Sequence, residues 1–345
     1  MGLFGLSGIQ LVILALTCAQ NSSYSLLRRY SQGVLKENNI PSTILLVGEF
    51  MKFAVSLAIM SGDPKASGSP IGPLGERLSW LIRTSLPMAV PAGVYCAMNL
   101  LSFVSLQRID AGLFTVIGQA KILTTALFGR FIMNRTLHVR KWRALTLVVM
   151  GAVLICNESK PVNFGPVTED MGMVSFTVGL AAVLLEITLS GAVSVYFEKV
   201  LKNQETPHTV WDRNVQLAVL SGCAYLPIGL IEARGESLFK GFSWVTMMVA
   251  TLGAAGGILV ALAMKYTDSV IKCLAISGSI VATTLIGGVW LSAPMNLVVV
   301  TGSSVVIIAV FNYFDDNNSP KPEQPPPVQS EDDDPEEIEM AKSHA

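Results

Sequence analysis

Apolar runs of helical length, separated by short polar punctuation, fill the chain from its start to residue 314. A bilayer core of ~30 Å takes about 20 residues of helix. The pattern predicts ten spans, at 8–27, 42–61, 84–106, 111–133, 144–157, 171–195, 214–233, 244–264, 269–291 and 295–314. The fifth run is short and is expected to begin inside the preceding loop. A Gly/Pro/Ser-rich stretch from Ser61 to Gly75 separates the second and third runs. The first run lacks a basic leader and a small-residue cleavage site, so it is expected to stay as a span and not be a signal peptide. The start Met1-Gly2-Leu3-Phe4-Gly5-Leu6 does not fit a myristoylation pattern, which wants Ser or Thr where Leu6 stands. The fold class expected is all-α, a polytopic membrane protein.

Composition agrees with that picture and narrows the function. Apolar residues make up 51% of the chain and charged residues 14%, against ~25% charged in a soluble domain. Mean hydropathy is +0.53. A soluble enzyme, a nucleic-acid-binding module and a disordered scaffold are excluded. The net charge of −1 hides an asymmetry: from Asp315 onward ten acids face two lysines, and the body before it carries a net +7. Residues 315–345, with Pro-Pro-Pro and a Glu-Asp-Asp-Asp run, bury too little to fold and read as a disordered, acidic cytosolic tail. Lys and Arg in short loops set orientation. With a cytosolic N-terminus, fourteen basic residues face the cytosol and seven the lumen (Arg28, Arg29, Lys36, Arg108, Lys160, Arg234, Lys240), so both termini are expected in the cytosol. That orientation puts the sequons at Asn134 and Asn317 in the cytosol and Asn21 in the membrane, with Asn157 lumenal beside the bilayer. Cys18, Cys96, Cys156, Cys223 and Cys273 are scattered through apolar runs without CxxC spacing and read as small core hydrophobes.

Two stretches resemble each other. Asp110 and Asp268 each open a span, and Thr-Thr follows 14 or 15 residues later. Leu147 to Ile155 echoes Val298 to Val306 at an offset of 151. A five-span unit follows, at 1–157 and 158–314, and an odd number of crossings inverts the second copy across the membrane. Inverted repeats mark transporters, whose site lies near the midplane between the halves. Chance likeness of apolar helices is the competing account.

Three lysines fall inside spans: Lys52, Lys121 and Lys272. A cation at the centre of a span costs about 2.5–3.5 kcal/mol on insertion scales, so it needs a partner or a ligand. No acid lies within a turn of Lys121 on its helix; Phe114, Gly118, Thr124 and Thr125 share its face. Lys272 sits in the first turn of span nine among Ser269, Ala275, Ile276 and Ser279. Two such lysines in related segments suit an anion of more than one charge; pairing with Glu186 or Asp268 is the structural alternative. Glu49 stands three residues before Lys52 on one face, as an ion pair that is structural or lines a site. Asn99 and Asn214 are amides able to reach a base or sugar or to join helices, and Gly256-Gly257 allows close approach of a helix or a flat ligand.

Gly-Glu-Phe-Met-Lys (48–52), Gln-Ala-Lys-Ile-Leu-Thr-Thr-Ala-Leu-Phe (119–128), Met-Asn-Arg-Thr-Leu (133–137), Val-Tyr-Phe-Glu-Lys-Val-Leu-Lys (195–202), Arg-Asn-Val-Gln (213–216) and Lys-Tyr-Thr-Asp-Ser-Val-Ile-Lys (265–272) carry a family resemblance. In these blocks the chain resembles nucleotide-sugar transporters of the drug/metabolite transporter superfamily, in the branch of CMP-sialic acid, UDP-galactose and UDP-N-acetylglucosamine carriers. The resemblance implies ten transmembrane helices in two inverted five-helix repeats. It also implies a Golgi membrane location, with the endoplasmic reticulum as the other choice, and an antiporter that exchanges a cytosolic nucleotide sugar for a lumenal nucleoside monophosphate. A homodimer is compatible with it, and no cofactor is called for. Lys121 and Lys272 would contact phosphate, Asn99 and Asn214 the sugar or base, and Ser190 the nucleoside, with Glu49 and Lys52 lining or gating the cavity. Phe114 and Gly118 replace tyrosines of the sialic acid carrier pattern, and Met98 replaces a polar residue, which together with the 122–128 block favours a UDP-sugar over CMP-sialic acid.

An integral membrane glycosyl- or phospho-transferase is the rival class. It would need clustered acids to hold Mg²⁺ beside a pyrophosphate, and no connecting loop has a DxD or DDxxD arrangement. His138 and His208 are lone loop histidines. A channel would be blocked by lysines that hold a phosphate firmly. The expectation is a transporter, not an enzyme.

Overall fold

A computed structural model of the chain describes residues 6–31, 35–37, 39–63, 66–70, 72–109, 111–158, 173–290 and 296–315. Asp110, Lys160 and the acidic tail from residue 316 lie outside the described residues, as do the side chains of Arg29 and Asn157. Twelve helices, and no strands, occur among the described residues. They are α1 (Gly8–Arg29), α2 (Pro41–Gly62), α3 (Leu74–Arg83), α4 (Leu86–Leu106), α5 (Ala111–Gly118), α6 (Lys121–Met133), α7 (Val139–Glu158), α8 (Met173–Lys202), α9 (Val210–Ala233), α10 (Trp244–Tyr266), α11 (Ser269–Trp290) and α12 (Leu297–Phe314).

A helix stands at each of the ten expected spans. Among the described residues, eight segments are both long and apolar enough to cross a bilayer, with 113–133 counted as one. The remaining two positions hold α1, with 22 residues, and α7, with 20. Both are long enough but diluted by polar residues. In α1 these are Gln10, Thr17, Gln20 and Asn21; α7 opens on Arg140, Lys141 and Arg143, because the helix does begin within the basic loop.

Two features were not anticipated. Helix α3 arises inside the stretch between the second and third spans. It buries Leu81 against Met60 and Val215 and leaves Leu74 and Ile82 exposed, an amphipathic helix suited to a bilayer interface. Trp80 on α3 stacks on His208 with ring centroids 4.5 Å apart, and the Thr84 hydroxyl lies 2.8 Å from the His208 ring nitrogen Nε2. Burial, and then the nearby Arg213 charge, hold this imidazole below its usual pKa against the pull of Asp212. The second feature is a break in the fourth span. Helix α5 ends at Gly118, residues 119–120 turn through i→i−3 hydrogen bonds, and Lys121 opens α6.

The strongest helix packing joins early helices to late ones: α7 with α12, α2 with α9, α4 and α6 with α8, α1 with α10 and α11. Residues 1–314 form one compact unit. Exchanging α1, α2, α4, α6 and α7 with α8, α9, α10, α11 and α12 leaves these pairings unchanged. The α7–α12 contact shows the same exchange at atomic scale. A β-carbon added at Gly151 would lie 2.8 Å from the Gly302 carbonyl oxygen, and one at Gly302 would lie 2.9 Å from that of Gly151. These glycines are the positions matched by the offset of 151 in the sequence. Helix pairs this close rely on small residues because lipid gives no hydrophobic drive to association. Gly151→Val is therefore expected to cost about 1–3 kcal/mol through overpacking, read as a lower midpoint of thermal unfolding in detergent. Gly93→Ala is the control, since nothing lies within 4 Å of its added carbon.

Candidate functional site

Helix α1 carries a polar stripe at helical spacing: Thr17, Gln20, Asn21, Tyr24 and Arg28. Polar groups at this depth face the interior of a bundle, and these face two adjacent cavities. The smaller, about 280 Å³, lies between α1, α2 and α10 and is lined by Gln20, Glu49, Lys52, Gly256 and Gly257, among others. The larger, about 670 Å³, is bounded by α1, α2, α4, α5, α8 and α9, with Arg28, Asn99, Ser102, Phe114, Glu186 and Tyr225 in its wall. Tyr24, Ile44, Leu45 and Val249 line both, so the two are adjacent. The larger cavity falls within the usual range for small-molecule sites, about 300–1,000 Å³.

Lys52 is buried and pairs with Glu49 at 2.7 Å. The glycine pair on α10 makes room for side chains of its neighbours. A β-carbon at Gly256 would meet the Gln20 amide at 2.5 Å, and one at Gly257 would meet the Lys52 stem at 3.2 Å. The pair thus serves helix packing and the cavity wall at once. Asn99 donates from Nδ2 to the Tyr225 hydroxyl at 2.9 Å.

Lys272 is 7% exposed and donates to the Ser194 hydroxyl at 3.2 Å. It has no carboxylate partner among the described residues. Lys121 is half-buried, and its ammonium has no hydrogen bond or ion pair among the described residues. Lys272, Cys273 and Glu186 lie within electrostatic range of Lys121. The two lysines thus occupy one region, where α6, α8 and α11 meet. Neither is in the walls of the two cavities described above. Asn214 is buried, and both its amide atoms lack a hydrogen-bond partner among the described residues. Thr125 donates instead to its own helix at the Lys121 carbonyl, 2.7 Å away, and is buried. Ser190 is half-buried on α8, one turn before Ser194, and open space borders Gly118. Of the expected site residues, then, Asn99 and Phe114 line the larger cavity, and Glu49 and Lys52 the smaller. Lys121, Lys272, Ser190, Gly118 and Thr125 belong to the α5–α6–α8–α11 region beside them.

The sequence reading missed Tyr24, Arg28, Ser102 and Tyr225. The stripe on α1 could have been found from its period of three and four; Ser102 and Tyr225 carry no such signal.

The two ends of the bundle differ. The larger cavity reaches the end formed by Arg28, Pro41, Ser42, Leu106 and Gln107. There Glu37 accepts from Ser31 at 2.6 Å, from Thr246 at 2.9 Å and from Ser243, the N-cap of α10. Burial raises the pKa of this carboxyl, but the hydrogen bonds from Ser243, Ser31 and Thr246 outweigh it and hold the group below its usual range. At the opposite end lies an ion cluster. Glu198, fully buried on α8, accepts two bonds from Arg135, one from Lys202 at 2.7 Å and one from the Ser269 backbone N–H at 2.9 Å. Asp268 stands 3.9 Å from Arg135. Burial pushes the Asp268 carboxyl up, although the Ile271 N–H and Arg135 oppose it.

A family model described as nucleotide-sugar transporter matches residues 6–314. The UDP-N-acetylglucosamine transporter of Rattus norvegicus is 33% identical over 83% of this chain and 88% of its own length. The UDP-galactose translocator of Bos taurus is 32% identical, over 80% and 70%. A UDP-N-acetylglucosamine/UDP-N-acetylgalactosamine transporter of Caenorhabditis elegans is 31% identical, over 81% and 85%. A solved crystal structure superposes with a TM-score of 0.67 over 88% of this chain and 96% of the other, at 14% identity, which shows a shared fold alone.

Proposed function

The chain belongs to the nucleotide-sugar transporter family, a family of membrane carriers and not of enzymes, and from that premise we propose that it exchanges a cytosolic UDP-sugar for a lumenal nucleoside monophosphate. UDP-N-acetylglucosamine or UDP-galactose is the sugar nucleotide, as the names of its relatives support. The membrane is that of the Golgi, with both termini cytosolic.

One observation carries the reading: Lys121 and Lys272 lie in one region of the bundle, and neither is matched to a carboxylate among the described residues. A buried charge without a counter-ion is costly. A phosphate that comes and goes would meet that cost in each transport cycle. Lys121 opens α6 at a break within its span, and interrupted helices at repeat interfaces are where transporters bind anionic substrates. The unpartnered Asn214 amide and the Asn99 amide would read base or sugar, with Ser190 at the nucleoside, and Phe114, Gly118 and Thr125 shaping the pocket. Glu49 and Lys52 line the smaller cavity and shift pairing as it fills.

The halves, 1–157 and 158–314, act as inverted repeats that rock about the α7–α12 contact, a reading supported by the exchange symmetry of the helix pairing. In this orientation the larger cavity reaches the lumenal end, and the Glu198 cluster shuts the cytosolic end. Alternating access then requires that cluster to part. The test is uptake of labelled UDP-N-acetylglucosamine by liposomes containing the purified chain. Internal UMP is expected to accelerate uptake several-fold over empty liposomes. Acceleration by CMP in place of UMP would favour the sialic acid branch, and no acceleration by either would refute exchange.

A further inference from the structure

We propose that Glu186 selects the charge class of the transported sugar: its carboxylate accepts hydrogen bonds from the hydroxyls of a neutral sugar and repels an acidic one. The inference rests on the nucleotide-sugar reading above and adds to it a residue and a substrate class. Glu186 lines the larger cavity with Asn99, Ser102, Phe114 and Tyr225. Its oxygen Oε2 is buried and has no hydrogen-bond partner among the described residues. Glu186 and Lys121 feel each other's charge but form no ion pair, so the carboxylate is not spent on a fixed counter-ion.

An ionised carboxylate is an acceptor only, and a buried one is costly until donors reach it. Sugar hydroxyls are such donors, and they outnumber the acceptors a bundle interior usually offers. The surroundings fit the same ligand. Asn99 and Tyr225 form a polar pair in the wall of the same cavity, and Phe114 supplies an apolar face for the carbon side of a sugar ring. Glu186, Ser190 and Ser194 follow at intervals of four along α8. Glu186 is thus about 12 Å of helix rise from Ser194, which holds Lys272. Phosphate held at Lys272 leaves that length for a hexose to reach the carboxylate.

The same group excludes as well as binds. A uronate or sialate would bring a second carboxylate into a space of low dielectric beside the first. Such like-charge contact is an effective way to reject a wrong ligand. The experiment is competition against labelled UDP-N-acetylglucosamine uptake in liposomes, with unlabelled UMP, UDP-N-acetylglucosamine and UDP-glucuronate. The last keeps the nucleotide and changes only the sugar. In the wild type, half-inhibition by UDP-glucuronate is expected to need at least about tenfold more than by UDP-N-acetylglucosamine. In Glu186→Gln this ratio is expected to fall to within about threefold, and Glu186→Ala is expected to lower it likewise. Should either variant transport too slowly, competition against labelled UMP binding reads the same ratio. An unchanged ratio in both variants, or no discrimination in the wild type, overturns the inference while UMP competition leaves the parent reading intact. If no uridine nucleotide competes at all, UMP included, the parent reading fails and this one with it.

Discussion

Lys272→Ala is expected to silence exchange while the protein stays folded, and Lys121→Ala to do the same. Losing one partner of a buried, hydrogen-bonded charge pair costs about 2–5 kcal/mol, or roughly thirtyfold to several thousandfold in affinity. The liposome assay should therefore show exchange at or near background for each variant. Stability should move the other way. With no ligand present, neither lysine has a carboxylate partner among the described residues, so each is a charge held in the membrane at a net cost. Removing it is expected to leave thermal unfolding of the empty protein unchanged or slightly raised, and to abolish the stabilisation that UMP gives the wild type. Normal exchange in either variant would remove that lysine from the mechanism. A collapse in stability would instead reveal a structural role.

The second large effect is expected at the other charged cluster, and there stability is what falls. Glu198 is fully buried and satisfied by Arg135, Lys202 and the Ser269 N–H. Arg135→Ala leaves the carboxylate buried with one cation, at an expected cost of about 3 kcal/mol, the low end for a broken buried pair. The low end applies because the Arg135 and Lys202 side chains each keep 29% exposure and are partly screened. Glu198→Ala is expected to cost less, since the two cations left behind can turn to water. The double variant should be more stable than the two losses added together, because the carboxylate that Arg135 leaves stranded is gone. Thermal unfolding of all four proteins measures this cycle. Strict additivity would show that the cluster is a surface feature without coupling.

The membrane fold was legible because hydrocarbon imposes one rule on every span: helical length and apolar content. Helices stand at all ten positions read from that rule, although α1 and α7 fall short of its apolar content. Helix α3 could not be read from it, because ten amphipathic residues at an interface look like any loop with a few leucines. The break before Lys121 was equally hidden. Gly118, Gln119 and Ala120 are compatible with continuous helix, and the turn at 119–120 shows only in the backbone hydrogen bonds of the folded chain. Lys121 and Lys272 stood out as candidates because an unpaired cation in an apolar run is costly wherever it is placed. Thr125 shows the limit of that reasoning: it shares the stripe, yet its hydroxyl is turned back onto its own helix.

By itself, the sequence determined that this chain lives in a bilayer, where its helices run, and which cations stand inside spans without an acid on their own helix face, since each of these follows from the free energy of single residues in hydrocarbon. Tertiary structure alone decided that α7 meets α12 through Gly151 and Gly302, that Tyr24 and Tyr225 join Asn99 at one cavity, and that Glu198 gathers its cations at the opposite end. Such contacts depend on which helix faces which, and that is settled by side-chain shape across the whole bundle, a quantity no single span encodes.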